Sequence, residues 1–235
     1  MRLNKYLADC GVASRRACDK LIAEGRVAVN GKIVDQMGVV VNPDNDHVTV
    51  NGKRVAVKHK TYYILLHKPK GYVTTVCDEL GRRTVMDLID IKARLYPVGR
   101  LDYDTEGALI LTNDGDVANK LTHPKNQVSK VYVCRISGEI TNAEVAKLEK
   151  GVEIDGKLTL PAGVKVLESD VHHSRVELTI REGRNRQVRR MFEAIGKDVE
   201  FLKRVAVGEI RLGGLSRGKY RFLNEKEIAY LKSLK

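Results

Sequence analysis

The chain of 235 residues has no run of about 18 apolar residues, which excludes a transmembrane helix. Its opening stretch, MRLNKYLADC, carries charges in its first turns and lacks the apolar core of a secretory signal. Cysteine is sparse. Cys10, Cys18, Cys77 and Cys134 lie scattered without a C-x-x-C pair, a spacing that fits neither a disulfide framework nor a zinc site. Small buried thiols in a reducing cytosol are expected instead. His172 and His173 are adjacent and have no cysteine at ligand spacing, so they read as surface residues. Acidic residues are also in deficit, 30 against 42 lysines and arginines, giving a net charge of +12 and a pI near 9.5. An excess of that size favours a polyanionic partner, nucleic acid before membrane.

Residues 1–60 read as a small separate unit. Leu3, Tyr6, Leu7 and Cys10 fall at helical spacing, with Gly11 to end the helix. Ser14 is placed to cap a second helix whose Ala17, Leu21 and Ile22 share a face, with Gly25 at its C-terminal end. VAVNGKIV and VTVNGKRV each read as a hairpin around Asn-Gly. Nothing else recurs between them, so they do not signal a repeat architecture. Arg15 and Arg16 open the second helix, where the macrodipole disfavours cations. Together with Arg2, Lys5, Lys20, Arg26 and Lys32 they suggest a phosphate-binding surface.

VAVKHKT, ending near Thr61, reads as a linker to a second domain over residues 61–235. There YYILLHKPKGYVTTV is strand-rich, VMDLI a short helix and RLYPVGRLD extended. ALILT is a strand closed by an Asn113-Asp114-Gly115 turn, and 116–121 a helix. KVYVCRISG, VKVLES, SRVELTIREG and the tail from VGEIRLGGL supply further strands, and 141–150 a helix capped by Thr141. Helices and strands mix without regular alternation, which predicts an α+β domain on a mainly antiparallel sheet.

In GRLDYDTEGALILTNDG, Asp102, Asp104 and Glu106 occupy every second position. The stretch begins like an EF-hand loop but has Asn113 where the bidentate glutamate belongs, and Pro97 where a helix is needed. A two-metal nuclease would want further converging carboxylates. A solvated turn remains open, as does one working acid. Asp102 follows apolar Leu101, whereas Asp104 and Glu106 lie in a more open part of the loop, so Asp102 is the acid expected next to buried surface and in need of a partner. REGRNRQVRRMFEAIG offers one. Val188, Met191, Phe192 and Ile195 form a helical stripe; at about 100° per residue Arg189 lies at its edge and Arg190 roughly opposite.

GRLDYDTEGALILTNDG, KVYV and REGRNRQVRRM, in that order after a helix-helix-hairpin unit, resemble the RsuA-like family of ribosomal RNA pseudouridine synthases, over essentially the whole chain. HKPKGY resembles the family's strand leading into the sheet, and the N-terminal unit resembles the alpha-L RNA-binding module. The resemblance implies that Asp102 is the catalytic aspartate, that Tyr132 packs on the target base and that Arg189 pairs with the aspartate. Arg100 is implied to contact RNA at the emptied base site. The expected RNA-binding set is completed by Arg15, Arg16, Lys20, Arg184, Arg186 and Arg190. The implied reaction cuts the N1–C1′ bond of a flipped-out uridine and rejoins the ring through C5. It needs no metal and no small-molecule cofactor. The expected partner is ribosomal RNA or a ribosomal subunit precursor, large-subunit (23S) before small-subunit (16S), met by a cytoplasmic monomer without a membrane. A non-catalytic ribosome-assembly factor would share the charge but not the ordered Asp-Tyr-Arg set.

Overall fold

A computed structural model describes residues 1–56 and 60–234. The middle of the expected linker, residues 57–59, lies outside the described residues. By its internal contacts the chain divides into two units. One comprises Met1–Tyr62 with two short segments, Lys92–Arg94 and Asn113–Gly115; the other holds the rest.

In the first unit, α1 (Leu3–Asp9) and α2 (Arg15–Ala23) pack on a sheet of β1 (Val27–Val29), β2 (Lys32–Val34), β3 (Val48–Val50) and β4 (Lys53–Arg54), ordered β2-β1-β3-β4. Ser14 caps α2 by accepting a hydrogen bond from the Ala17 amide. Cys18 and Ile22 are the buried residues of α2, whereas Ala17 and Leu21 are only half-buried; the apolar stripe is centred one position away from the face expected. Asn30-Gly31 and Asn51-Gly52 have positive φ at both positions, the geometry that lets a two-residue turn follow the strand twist.

The second unit contains β5 (Tyr63–Lys68), β6 (Tyr96–Val98), β7 (Glu106–Thr112), α3 (Gly115–Thr122), β8 (Lys130–Ser137) and α4 (Asn142–Lys150). It continues with β9 (Glu153–Ile154), β10 (Lys157–Leu158), β11 (Gly163–Ser169), β12 (His173–Ile180), α5 (Gln187–Glu193) and β13 (Val199–Val207). It ends with β14 (Ile210–Arg211), β15 (Tyr220–Phe222) and α6 (Glu225–Ser233). VMDLI forms a 3₁₀ turn, Val85–Leu88, capped by Thr84. The fold is α+β. Its main sheet runs β11-β12-β8-β13-β7-β5-β15, and all pairings are antiparallel except β13 with β7. β5 and β7 are buried along their whole length, and one face of the sheet packs on α3 through Val117 and Leu121 and on α6 through Leu231.

Four elements have no counterpart among the sequence-based expectations: β9, β10, β13 and α6. β13 carries Lys203 and Arg204 in its middle, which hides its alternation, yet it is a central strand. α6 has a full Asn224–Glu227 capping box but a weakly apolar face that buries only Leu231.

β7 changes partner along one edge. Glu106 and Gly107 pair with Lys203 and Arg204 of β13, whereas Ile110 to Thr112 pair with β6. β13 therefore parts from β7 just where GRLD follows β6. Gly107 makes the close approach possible: with φ at +119°, a Cβ there would lie 2.1 Å from the Arg204 carbonyl oxygen. This glycine serves strand packing, not a cation-binding loop.

Candidate active site

The parting of β7 and β13 opens a cleft of about 480 Å³, a size suited to a nucleoside-sized ligand. Arg100, Asp102, Thr105, Lys130, Tyr132 and Arg204 line it, opposite the segment Ile180–Val188.

Asp102 sits at the start of a tight turn closed by the Thr105 amide donating to the Asp102 carbonyl at 3.1 Å. Its side chain is half-buried and, among the described residues, makes no ion pair or hydrogen bond. The turn is held from beneath. Lys68, completely buried, donates to the main-chain carbonyls of Pro69, Asp102 and Thr105 at 2.9–3.0 Å. Burial pulls its ammonium down from 10.5 to about 8, while the charges of Asp102 and Asp104 oppose that fall. Thr74 Oγ1 donates to the Leu101 carbonyl at 2.7 Å, and the Gly71 amide donates to the Tyr103 carbonyl. The HKPKGY strand thus does more than enter the sheet. Lys68 is absent from the residues expected at the site, and the available signal was a lysine closing a strand, YILLHK, that is apolar over its first four residues.

The three carboxylates diverge. The structure pairs Arg189 with Asp104, not with Asp102: its guanidinium lies 2.9 Å from the Asp104 carboxylate and also donates to the Val199 carbonyl at 2.8 Å. Tyr103 and Asp104 are the central residues of the turn, so Asp104 reaches toward α5 while Asp102 stays at the cleft. Glu106 is not in an open loop but is the buried first residue of β7, paired with Arg217 at 3.0 Å and 3.8 Å from His67 Nε2. His67 holds its ring by Nδ1 donating to the Leu215 carbonyl at 2.7 Å.

Arg189 is buried, as its place at the edge of the stripe predicts, but it does not line the cleft. Arg190 points away and pairs with Asp155. Arg184 also lines the cleft and has all three of its guanidinium nitrogens engaged within the protein: Nε with Glu182, and Nη1 and Nη2 with the carbonyls of Lys157 and Leu158. It fixes the β9–β10 hairpin beside the cleft. Arg186, at φ +48°, stands exposed before α5 with a 3.4 Å contact to Asp104. Arg100 is exposed at the cleft mouth. In the first unit Arg15, Arg16 and Lys20 are exposed and have no partner among the described residues.

Tyr132 lies buried on β8, directly opposite Arg204 of β13. Arg204 was not anticipated. Its Nε donates to the Ala108 carbonyl at 2.7 Å, satisfying the β7 acceptor left open where the strands part. Its Nη1 lies 3.5 Å from both the Arg100 carbonyl and the Tyr132 hydroxyl. Leu202, two residues earlier, contributes apolar surface to the cleft. No helix among the described residues is long and apolar enough to cross a membrane.

Residues 62–194 match the family profile described as RNA pseudouridylate synthase, and residues 1–46 match the S4 domain. A protein of Bacillus subtilis named ribosomal large subunit pseudouridine synthase B is 47% identical over 99% of this chain and 96% of its own length. An uncharacterized RNA pseudouridine synthase of Aquifex aeolicus is 45% identical over 98% of this chain and 93% of its own. A crystal structure of a pseudouridylate synthase superposes with a TM-score of 0.71 at 31% identity, covering 98% of this chain and 99% of that one.

Proposed function

This chain belongs to the RNA pseudouridylate synthase family, and from that premise we propose that it isomerises a specific uridine of large-subunit ribosomal RNA, with Asp102 as the working carboxylate. The observation that carries the assignment is the state of Asp102: half-buried at the cleft, held through its own backbone by Lys68, and unpaired among the described residues, while Asp104 and Glu106 are each committed to an arginine. An unpaired carboxylate is available to the sugar, as nucleophile at C1′ or as base toward the C2′ hydrogen. Tyr132 offers a ring for the flipped base, and Arg100 and Arg186 offer charge for the backbone around it.

In this reading residues 1–60 form the RNA-affinity module and residues 61–235 the catalytic domain. The protein acts in the cytoplasm as a monomer, without a metal or a small-molecule cofactor. The name of the Bacillus subtilis relative supports the large-subunit substrate.

The test is tritium release from uridine labelled at C5, in unmodified large- and small-subunit ribosomal RNA offered separately. Release from the large-subunit RNA alone is expected, and Asp102→Asn abolishes it while RNA binding changes little. Appreciable turnover by Asp102→Asn overturns the assignment of the acid. Release from small-subunit RNA alone overturns that of the substrate.

A further inference from the structure

Two cations that line the cleft, Arg204 and Lys130, make no ion pair among the described residues. Arg204 is 4% exposed and pairs with no carboxylate among the described residues. Its Nη1 reaches only two neutral oxygens, both at 3.5 Å. Lys130, the first residue of β8, lines the same cleft and donates to a single acceptor, the Val128 carbonyl at 2.9 Å. Lys130 stands two residues before Tyr132 on β8, next to β13, and the charge of Arg204 adds to burial in holding its ammonium below the usual range. The neighbouring acid, Glu182, is occupied by Arg184, Gln187 and the Leu160 amide. A buried arginine and a half-buried lysine that line one cleft, neither paired with a carboxylate among the described residues, call for an anionic guest.

We propose that Arg204 and Lys130 form a cation pair that takes up the negative charge developing on the uracil ring when its bond to ribose breaks. The N1–C1′ electron pair leaves with the ring. The sugar's electron deficiency is met by the Asp102 carboxylate, either through an ester at C1′ or through loss of the C2′ proton to Asp102 with a C1′=C2′ double bond. On both courses the detached uracil carries one negative charge, spread over N1, O2 and O4. C5 then bonds to C1′, either as the C1′–O ester bond breaks and releases the Asp102 carboxylate or as Asp102 returns its proton to C2′; the ring's charge is consumed in the new bond, and the C5 proton is then lost as N1 gains one. Fixed cations aimed at charge that appears only during the reaction lower the barrier without tightening substrate binding. Depth selects the base over a phosphate as guest. Arg204 lies beside Tyr132 on the floor, whereas the cations available to the backbone, Arg100 and Arg186, are exposed at the mouth.

This inference rests on the reading of the Asp102 cleft as the reaction site, which Asp102→Asn tests by itself. Large-subunit ribosomal RNA is transcribed with either uridine or 5-fluorouridine, and single-turnover loss of the target nucleoside is followed by mass spectrometry of digests. Fluorine at C5 makes the departing ring a more stable anion, one that needs less help. Arg204→Met and Lys130→Met are each expected to slow the uridine reaction by about 100-fold. The defect should shrink several-fold with 5-fluorouridine, and the RNA Kd should stay within about threefold. Equal defects on the two RNAs, as a merely structural role produces, overturn the proposal. So does a loss confined to Kd, which marks a backbone phosphate as the guest. Lys130 has one side-chain hydrogen bond, so its variant decides the matter if Arg204→Met fails to fold. If Asp102→Asn is active, the cleft is misassigned; if it is inactive and the two RNAs suffer alike, only the cation pair fails.

Discussion

Arg189 Nη2 stands 2.9 Å from Asp104 Oδ2 and 3.4 Å from the Asp104 main-chain carbonyl, so one guanidinium holds both the side chain and the backbone at the centre of the turn that begins with Asp102. The family resemblance implies an ion pair between Arg189 and Asp102. The structure has Arg189 steadying the turn from α5 while Lys68 steadies it from β5. Asp102 is thereby positioned without having its charge consumed.

Asp104→Ala leaves the buried Arg189 without its carboxylate. A stability loss of about 1–2 kcal/mol is expected in urea denaturation, reduced from the value for a fully buried pair because the Asp104 side chain is 44% exposed. Turnover falls in parallel as the turn loosens. Arg190→Ala breaks only the exposed pair with Asp155 and should leave the midpoint nearly unchanged. Equal effects of the two substitutions would show that the Arg189–Asp104 pair does not hold the turn.

Lys68 has a stability signature in alkali. Its ammonium titrates at about 8 in the folded protein and near 10.5 when unfolded. Below about pH 8 both states are protonated and the cost of burying the charge is present in full. Between about 8 and 10.5 the unfolded chain binds more protons, so this group's contribution to stability rises with pH. The wild-type stability measured against Lys68→Met should therefore improve across that interval, by up to about 3 kcal/mol. A difference independent of pH would place the lysine in a more solvated state.

Gly107→Ala and Gly52→Ala separate a packing requirement from a conformational one. Both positions have positive φ, but only at Gly107 would the new methyl meet backbone, 2.1 Å from the Arg204 carbonyl; at Gly52 nothing lies within 4 Å. Gly52→Ala should cost about 1 kcal/mol, and Gly107→Ala about 3 kcal/mol or more, because β7 and β13 must separate. Comparable melting temperatures for the two variants would contradict the close approach.

The RNA-affinity role of the first unit is testable without truncation. Replacing Arg15, Arg16 and Lys20 together by alanine removes three exposed cations that have no partner among the described residues. The dependence of log K on log salt concentration should flatten by about 2–3 units of slope. An unchanged slope would mean that these cations do not meet phosphate.

What the sequence determined by itself is what short-range chemistry controls. The Asn-Gly turns, the Ser14 and Thr141 caps and the stripe of α5 each follow from residues within a turn or two of one another. The GRLD motif is legible as one turn because its residues are contiguous, and the wheel places Arg189 at the buried edge of α5, where it lies. Which acid meets that arginine is a different question. Asp104 and Arg189 are 85 residues apart, and a single β-turn decides which carboxylate faces α5. The same holds for Arg204, whose Nε reaches the Ala108 carbonyl across 96 residues, and for Lys68, whose charge is tolerable in a buried strand only because three carbonyls from two segments converge on it. A charged residue in a sequence reads as solvated. It becomes a buried cation beneath a turn or at the floor of a cleft only when distant strands supply the oxygens that replace water, and that replacement belongs to the tertiary structure alone.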